Sequence, residues 1–540
     1  MQVRFLPGAL SHAPLLPSRL PVTERTIDVR PIPDRTPVEP VAPGRRGAAA
    51  NLLRQHPWVA GAIALVLVST GIVVWARARP GYDPYGWLVW GYQTIHLTLD
   101  LGGAPSWKPL PYLFTVPYAL AGHYELWLWM ITSVAVSLGG TIFAGRIAYR
   151  LTLRPERSQG TAGAAGAEPI SAERRYAAIA AALFAGAVLL GIEDYAHYVL
   201  SVQSDPMIVT FVLAAIDSHL SGRPRWAFAF GVLASLGRPE SWPFLGLYSL
   251  WAWRAIPSMR KLIVAGLALI PAMWFGIPVL SGNDPFVAGS LALRSPRALH
   301  ESKIVGTVHR FTELQYLPVQ LLSVLALVVA FLRRDRLILI LGAGAVVWVM
   351  VEIAFSLHGW PALPRYLFEP AAVMIVLAAV AIGWILLAAP RLAGGLPKWA
   401  GAPVVVVLVA TLVPGALQRV RVERHDLHHE RARTAELNLL QAAINAVGGD
   451  KKVTACGKPV SDVAWVSALA YFVKLDVGPV GHRPSFERHQ PYPIVVFLPE
   501  HNGWSVLPWH TAPAQRAACA ILKGSYEISP GHPNGVPIPG

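Results

Sequence analysis

The sequence predicts a polytopic α-helical membrane protein that ends in a small α/β domain. Three observations carry this expectation. Hydrophobic residues make up 54% of the 540 and charged residues only 14%, where soluble proteins carry about 25% charged residues. Mean hydropathy is +0.44, and apolar runs of about 16–22 residues recur along most of the chain, long enough to cross a bilayer as helices. Beyond about residue 417 these runs stop, and helix-like and strand-like patches alternate. The composition excludes a disordered chain, a collagen and a small disulfide scaffold, and it argues against a purely soluble enzyme.

The elements follow in order. Residues 1–56 are rich in Pro and Arg and lack apolar periodicity, so they read as a disordered cytoplasmic tail. They carry no short apolar core with a small-residue cleavage site, so they do not read as a signal peptide. Arg45, Arg46 and Arg54 precede the first span, 58–76. Further spans are expected at 125–145, 176–191, 205–220, 226–240, 242–256, 262–280, 316–332, 337–356, 366–388 and 399–416, about eleven in all.

The net charge of +15 is explained by basic connections between spans. Arg146, Arg150, Arg154, Arg157, Arg174 and Arg175 fill one. Arg223 and Arg225, then Arg254, Arg260 and Lys261, then Arg333, Arg334 and Arg336, then Arg391 and Lys398 fill others. The positive-inside rule places them in the cytoplasm, with the amino terminus inside and the carboxyl terminus outside. Arg77 and Arg79, just outside the first span, are exceptions. No zinc finger, basic helix or aromatic–basic stripe supports a nucleic-acid partner.

The chain thus divides into the tail, a transmembrane domain over 57–416 with a long first outer loop at 77–124, and an extracytoplasmic α/β domain over 417–540. In that last part 418–447 reads as a charged helix. Lys452–Cys456, Ile494–Leu498 and Ala518–Ile521 read as strands. The protein's two cysteines, Cys456 and Cys519, lie here. They pair if the compartment is oxidising; the alternative is two unrelated buried thiols.

The outer loops carry the chemistry. The first begins Gly81-Tyr82-Asp83-Pro84-Tyr85-Gly86-Trp87. It continues through an amphipathic aromatic stretch, Leu88 to Leu99, expected to lie in the interface plane. It then reads Ser106-Trp107-Lys108-Pro109. The second holds Glu193-Asp194-Tyr195 and Gln203-Ser204-Asp205-Pro206. A short turn reads Arg238-Pro239-Glu240-Ser241-Trp242-Pro243, and Arg365-Tyr366 opens a late span.

In this order, on one membrane face, these motifs over 58–416 resemble the bacterial GT-C class of membrane glycosyltransferases. The terminal domain shows no oligosaccharyltransferase-type WWD motif. The resemblance implies an inner-membrane enzyme that moves a sugar from a polyprenyl-phosphate donor to a cell-envelope glycan or lipid on the outer face. An Asp or Glu of the first outer loop acts in that class, and Asp83 is the matching position. Glu193, Asp194 and Asp205 form a second acidic group. Some members of the class use a divalent cation such as Mg or Mn, and others none. The bias toward Arg, Ala and Pro over Lys suggests a GC-rich genome, so mannosyl- and arabinofuranosyltransferases are members to consider.

The chemistry stands beside the resemblance. A hydroxyl acceptor needs a carboxylate base, here Asp83; the bland alternative is that Asp83-Pro84 only initiates a turn. A departing phosphate needs cations, Arg as a bidentate fork and Lys as a point charge. Lys108, Arg238, Arg294, Arg297 and Arg365 are the candidates. Arg294 and Arg297 are also placed to meet lipid headgroups, and Arg238 to pair with Glu240. Asp205-Pro206 doubles as a helix start. Tyr85, Trp87, Trp107 and Glu240 are candidates for sugar and acceptor contacts, although Trp87, Trp90, Tyr92, Trp127 and Trp129 suit interface anchors as well.

Glu352 lies inside an apolar span and has no assigned role. His425, His428, His429 and Glu430 share a helical face but lack a distant metal ligand. The competing functions are a transporter or lipid flippase and a non-catalytic scaffold. Against the first, no inverted repeat with broken helices is evident.

Overall fold

The computed structural model describes residues 57–103, 105–154, 170–293, 297–299, 302–392, 401–500, 503–510, 519, 524–527 and 536–538. The expected tail 1–56 lies outside them, as do Arg157, Arg294 and Lys398. Helices of eight or more residues are numbered α1 to α15. They are α1 Pro57–Ala76, α2 Tyr82–Ile95, α3 Pro109–Ala119, α4 Glu125–Leu153, α5 Ala172–Leu189, α6 Asp205–Leu220, α7 Pro224–Gly237 and α8 Trp242–Ala255. Then come α9 Arg260–Pro271, α10 Lys303–Glu313, α11 Leu317–Leu332, α12 Arg336–His358, α13 Phe368–Leu392, α14 Gly401–Ala446 and α15 Val466–Val473.

A helix stands at each expected span. Local signals set their ends. Ser171 accepts the Arg174 N–H ahead of α5, and Asp335 accepts the Leu337 N–H ahead of α12, as N-caps do. Gly359, at φ 110°, closes α12 in the left-handed conformation. Among the described residues six helices are long and apolar enough to cross a membrane. The bent pair α10–α11, angled by 100°, makes a seventh if it is one span. The helices α6, α7 and α8, of 16, 14 and 14 residues, measure only about 21–24 Å against a hydrocarbon core of about 30 Å. They are short for a reason. Asp205 begins α6, Arg238 ends α7, and both are buried polar residues.

Two expectations for the first outer loop change. The stretch expected in the interface plane is a core helix, α2. Trp87 and Trp90 on it have no exposed surface, and neither has Trp129. Only Trp127 of these four tryptophans stands exposed, at 48%. Trp129 and Trp107 cover Trp87 and Trp90, and residues after 416 pack on the opposite face of α2, which carries Tyr85. Ser467 Oγ donates to the Tyr82 carbonyl at 2.7 Å, and the Tyr85 ring meets Tyr471 at 5.4 Å. A Cβ on Gly103 would come within 2.4 Å of the Gly478 nitrogen, so only glycine allows this approach.

The 46-residue α14 is one continuous helix, where a span and a separate charged helix were expected. Its Arg431 and Arg433 donate to the carbonyls of Ala76 and Pro80, cations at the carboxyl end of α1, as the helix dipole favours. Beyond it stands a five-stranded sheet ordered β1 Lys458–Val460, β2 Ile494–Glu500, β3 Gly503–Trp509, β4 Gly524–Glu527, β5 Val536–Ile538. β1 and β2 are parallel, with Lys458 opposite Ile494; the other pairs are antiparallel.

Ile494–Leu498 is strand as expected. Lys452–Cys456 is not: Asp450–Cys456 is helical, and the strand starts at Lys458. Gly457 sets the switch, because a Cβ there would come within 2.6 Å of the Pro493 carbonyl carbon. Of Ala518–Ile521 only Cys519 is described, and it is helical. Cys456 and Cys519 are bonded, with Cα atoms 5.3 Å apart. The sheet and the helical part share one hydrophobic core.

At this contact Asp476 is buried, and its Oδ2 accepts the Gly478 N–H at 3.0 Å. Burial and the charge of Asp100 push its carboxyl up to about 6. The fold therefore binds this proton more tightly than the unfolded chain, where the value is about 3.9. The stability it contributes is full below about pH 4 and is lost as pH rises through 6. Asp476→Asn should raise stability at pH 7.5 by on the order of 1–3 kcal/mol and leave it nearly unchanged at pH 4. Thermal unfolding at the two pH values checks this; an equal effect at both would refute it.

Candidate active site

The site assembles where α2, α6 and α13 begin and α7 ends. Gly81 precedes α2 and donates its N–H to the Ser201 carbonyl at 3.2 Å. That bond ties the chain carrying Asp83 to the chain leading into Asp205. Asp83 sits in the first turn of α2 and Asp205 in the first turn of α6, followed by Pro206. Both carboxylates therefore lie at the positive ends of helices.

Asp205 is the hub and has no exposed surface. Lys108 Nζ lies 3.6 Å from its Oδ1, Arg238 Nη2 contacts the same oxygen, and Arg365 Nη1 lies 3.9 Å from its Oδ2. Lys108 also donates to Ser204 Oγ at 3.4 Å. The same Arg365 Nη1 is 3.5 Å from Asp83 Oδ2. Burial pushes the Lys108 ammonium below its usual range, against the pull of Asp205.

Exposure sorts these groups into two layers. Side-chain exposure is 22% for Asp83 and 13% for both Arg365 and Lys108, but 3% for Arg238 and none for Asp205. Asp83, Arg365 and Lys108 therefore form the accessible side of the cluster. Arg238 does not belong to it, contrary to its expected contact with a donor phosphate. Its guanidinium is held by Asp205, by Glu240 at 3.4 Å and by Glu369 at 3.7 Å, with the Tyr366 ring 4.0 Å away. Its charge is already matched from three sides, and it holds Asp205 in place from behind.

The other expected residues are placed as follows. Glu193 pairs with Arg419 of α14 at 2.6 Å, and Arg419 also donates to the Leu314 carbonyl. It fastens helices together away from the hub. Asp194 adopts φ 58° ahead of a short helix and makes no ion pair with the hub cations. Its charge reaches Tyr198, as does that of Arg297, which places both at the margin of the cluster. The Arg365 guanidinium faces the Tyr198 ring at 5.6 Å. Arg294 lies outside the described residues.

Tyr85, Trp87 and Trp107 have no exposed surface and are not open to a sugar. Tyr85 packs on Tyr471 and Phe472. Trp87 packs edge-on against Trp129 and under Lys108, and Trp107 packs on Trp90 and Tyr112. They are rigid walls instead of contacts. Glu240 is buried too, and its charge reaches Glu352. Glu352 thereby gains a place beneath Arg238. Glu369 was missed. Its signal was present, an ionisable residue inside an apolar late span, three residues after Tyr366.

Among the described residues no three His, Cys, Asp or Glu side chains gather in a metal-holding arrangement. His425 and His429 of α14 approach each other with Nε2 atoms 3.0 Å apart, without a third ligand.

These features define a helical membrane protein with a buried acid–cation cluster opening at helix ends. No protein-family model matches this chain, and no curated protein does. Among solved structures it is similar to ArnT from Cupriavidus metallidurans bound to undecaprenyl phosphate. Identity is 16% and the TM-score 0.48, over 88% of this chain and 96% of that one. It is similar to the same protein in the apo state at 15% identity and TM-score 0.47, over 86% and 95%.

Proposed function

We propose that this protein is an integral membrane glycosyltransferase of the GT-C class. It moves a sugar from a polyprenyl-phosphate donor to a hydroxyl of a cell-envelope glycan or lipid. The observation that carries this reading is the cluster itself. Asp83, Lys108, Asp205 and Arg365 come from four separate stretches of sequence, and the accessible ones among them are one carboxylate and two cations. This is the pair of functions the reaction needs: a proton acceptor and a holder of phosphate charge.

In the reaction Asp83 takes the proton of the acceptor hydroxyl. The hydroxyl oxygen attacks the anomeric carbon, and the bond from that carbon to the phosphate oxygen breaks. The electron pair leaves with the polyprenyl phosphate, whose charge Arg365 and Lys108 hold. One displacement inverts the anomeric centre. Asp205, braced by Arg238, keeps the two cations at their positions. The test is incubation of purified protein with radiolabelled polyprenyl-phosphate mannose and arabinose and an envelope extract as acceptor. Release of lipid phosphate with labelled product supports the reading. Failure with every donor of the panel rejects it.

The topology that accompanies this reading has about eleven spans, with basic connections inside. Residues 417–540 then lie on the outer face, together with the cluster. A reporter active only in the periplasm, fused after Gly540, should be active. Activity of a cytoplasmic reporter there would overturn this orientation.

A further inference from the structure

The helix α2 presents two faces. Asp83, Trp87 and Trp90 share one, by helical spacing, and turn toward the cluster. Tyr85, Val89, Tyr92 and His96 recur at i, i+4, i+7 and i+11 on the other. This second face borders a cavity of about 400 Å³ between α2, the start of α4, α14 and α15. That volume falls in the range of roughly 300–1,000 Å³ typical of small-ligand sites.

We infer that this cavity is a second carbohydrate site, which holds a sugar ring of the acceptor glycan distant from the reacting hydroxyl. The inference rests on the glycosyltransferase reading for its biological role, but the site itself is argued from its walls. Tyr92, Tyr471 and Phe472 supply aromatic faces, and Glu125, Gln441 and His96 supply planar polar groups. A pyranose needs this combination. Its C–H face packs on a ring, and its equatorial hydroxyls meet in-plane donors and acceptors.

The polar groups are set for this. Glu125 is 7% exposed and lines the cavity with its carboxyl near the Tyr471 hydroxyl. The His96 ring lies 4.1 Å from the Tyr92 ring, and its Nδ1 is 2.8 Å from the Tyr92 carbonyl. A carbonyl only accepts, so Nδ1 carries the proton and Nε2 of the neutral ring is an acceptor. His96, His123 and Gln441 are exposed, so the mouth opens to solvent.

A phosphate fits this cavity poorly. A buried carboxylate lies in its wall, and its lysine, Lys474, faces Asp450 at 3.9 Å. Its position suits a polymer. Asp83 and Tyr92 are nine residues apart on one helix, about 13 Å along its axis. Tyr85 packs against Tyr471 and Phe472 of the cavity wall, two residues along α2 from Asp83.

The test uses the full chain in lipid nanodiscs free of sugar detergents. Methyl mannoside, glucoside, galactoside and arabinofuranoside, and their homodisaccharides, are titrated by saturation-transfer NMR. At least one should bind saturably. Tyr92→Ala and Glu125→Gln should each weaken it about tenfold or more, and Tyr92→Phe, which keeps the ring, should stay near wild type. The inference is overturned if no sugar of the panel saturates the wild type, or if folded Tyr92→Ala and Glu125→Gln bind as the wild type does. Lipid-phosphate release is measured on the same samples. Sugar binding without release in any donor assay leaves the site standing and removes the transferase reading; release without sugar binding does the reverse.

Discussion

Asp83→Asn should lower turnover by about 10²–10⁴-fold, the usual contribution of a general base, while donor binding survives. Asparagine keeps the shape of the side chain and its hydrogen bonding but cannot accept the proton. The geometry adds a second expectation. Arg365 Nη1 lies between Asp83 at 3.5 Å and Asp205 at 3.9 Å. Removing the Asp83 charge leaves that guanidinium with one anion fewer, so its hold on a lipid phosphate should be equal or stronger. The checks are single-turnover sugar transfer and donor binding on the same preparation. Retained turnover in the folded variant ends the assignment, and loss of donor binding would make Asp83 a structural residue. Asp205 could not then inherit the base's role directly, because it has no exposed surface.

Asp205→Asn should act on the fold. Three cations meet at this carboxylate: Lys108, Arg238 and Arg365. Breaking a buried pair by deleting one partner typically costs about 3–5 kcal/mol, because the remaining charge stays buried and unmatched. Here Arg238 keeps Glu240 and Glu369, but Lys108 loses its one ion-pair partner among the described residues. Thermal unfolding in one fixed detergent should show a fall of that order. Adding Lys108→Met should recover part of it, a coupling readable in a double-mutant cycle. A loss below about 1 kcal/mol would mean that water, and not Asp205, balances the cations.

The two variants separate chemistry from architecture at one cluster. A change in turnover with stability kept belongs to the accessible face of Asp83, Arg365 and Lys108. A change in stability belongs to the buried layer of Asp205, Arg238, Glu240 and Glu369. Arg365 touches both layers. Arg365→Lys, which keeps charge but loses the planar fork, should therefore weaken donor binding without the collapse expected of Asp205→Asn.

The sequence by itself determined the membrane class and a helix at each apolar run, though not the continuity of α14. Both depend on local properties, the length of an apolar run and the residues that cap it. It also singled out Asp83, Asp205, Lys108 and Arg365, because a charged residue at the edge of an apolar run has few structural reasons to be there. Only the tertiary structure decided which of these keep exposed side-chain surface. Arg238 and Arg365 look alike as sequence, and the difference is that three carboxylates from three elements surround the first. Glu193 and Asp205 likewise look alike, yet one is taken by Arg419, 226 residues away in the chain. Tyr85 looks like a sugar contact until Tyr471 and Phe472 fold back over its face of α2 and bury it. Burial of a half-apolar helix depends on what covers its second face, and that cover lies more than 350 residues further along the chain.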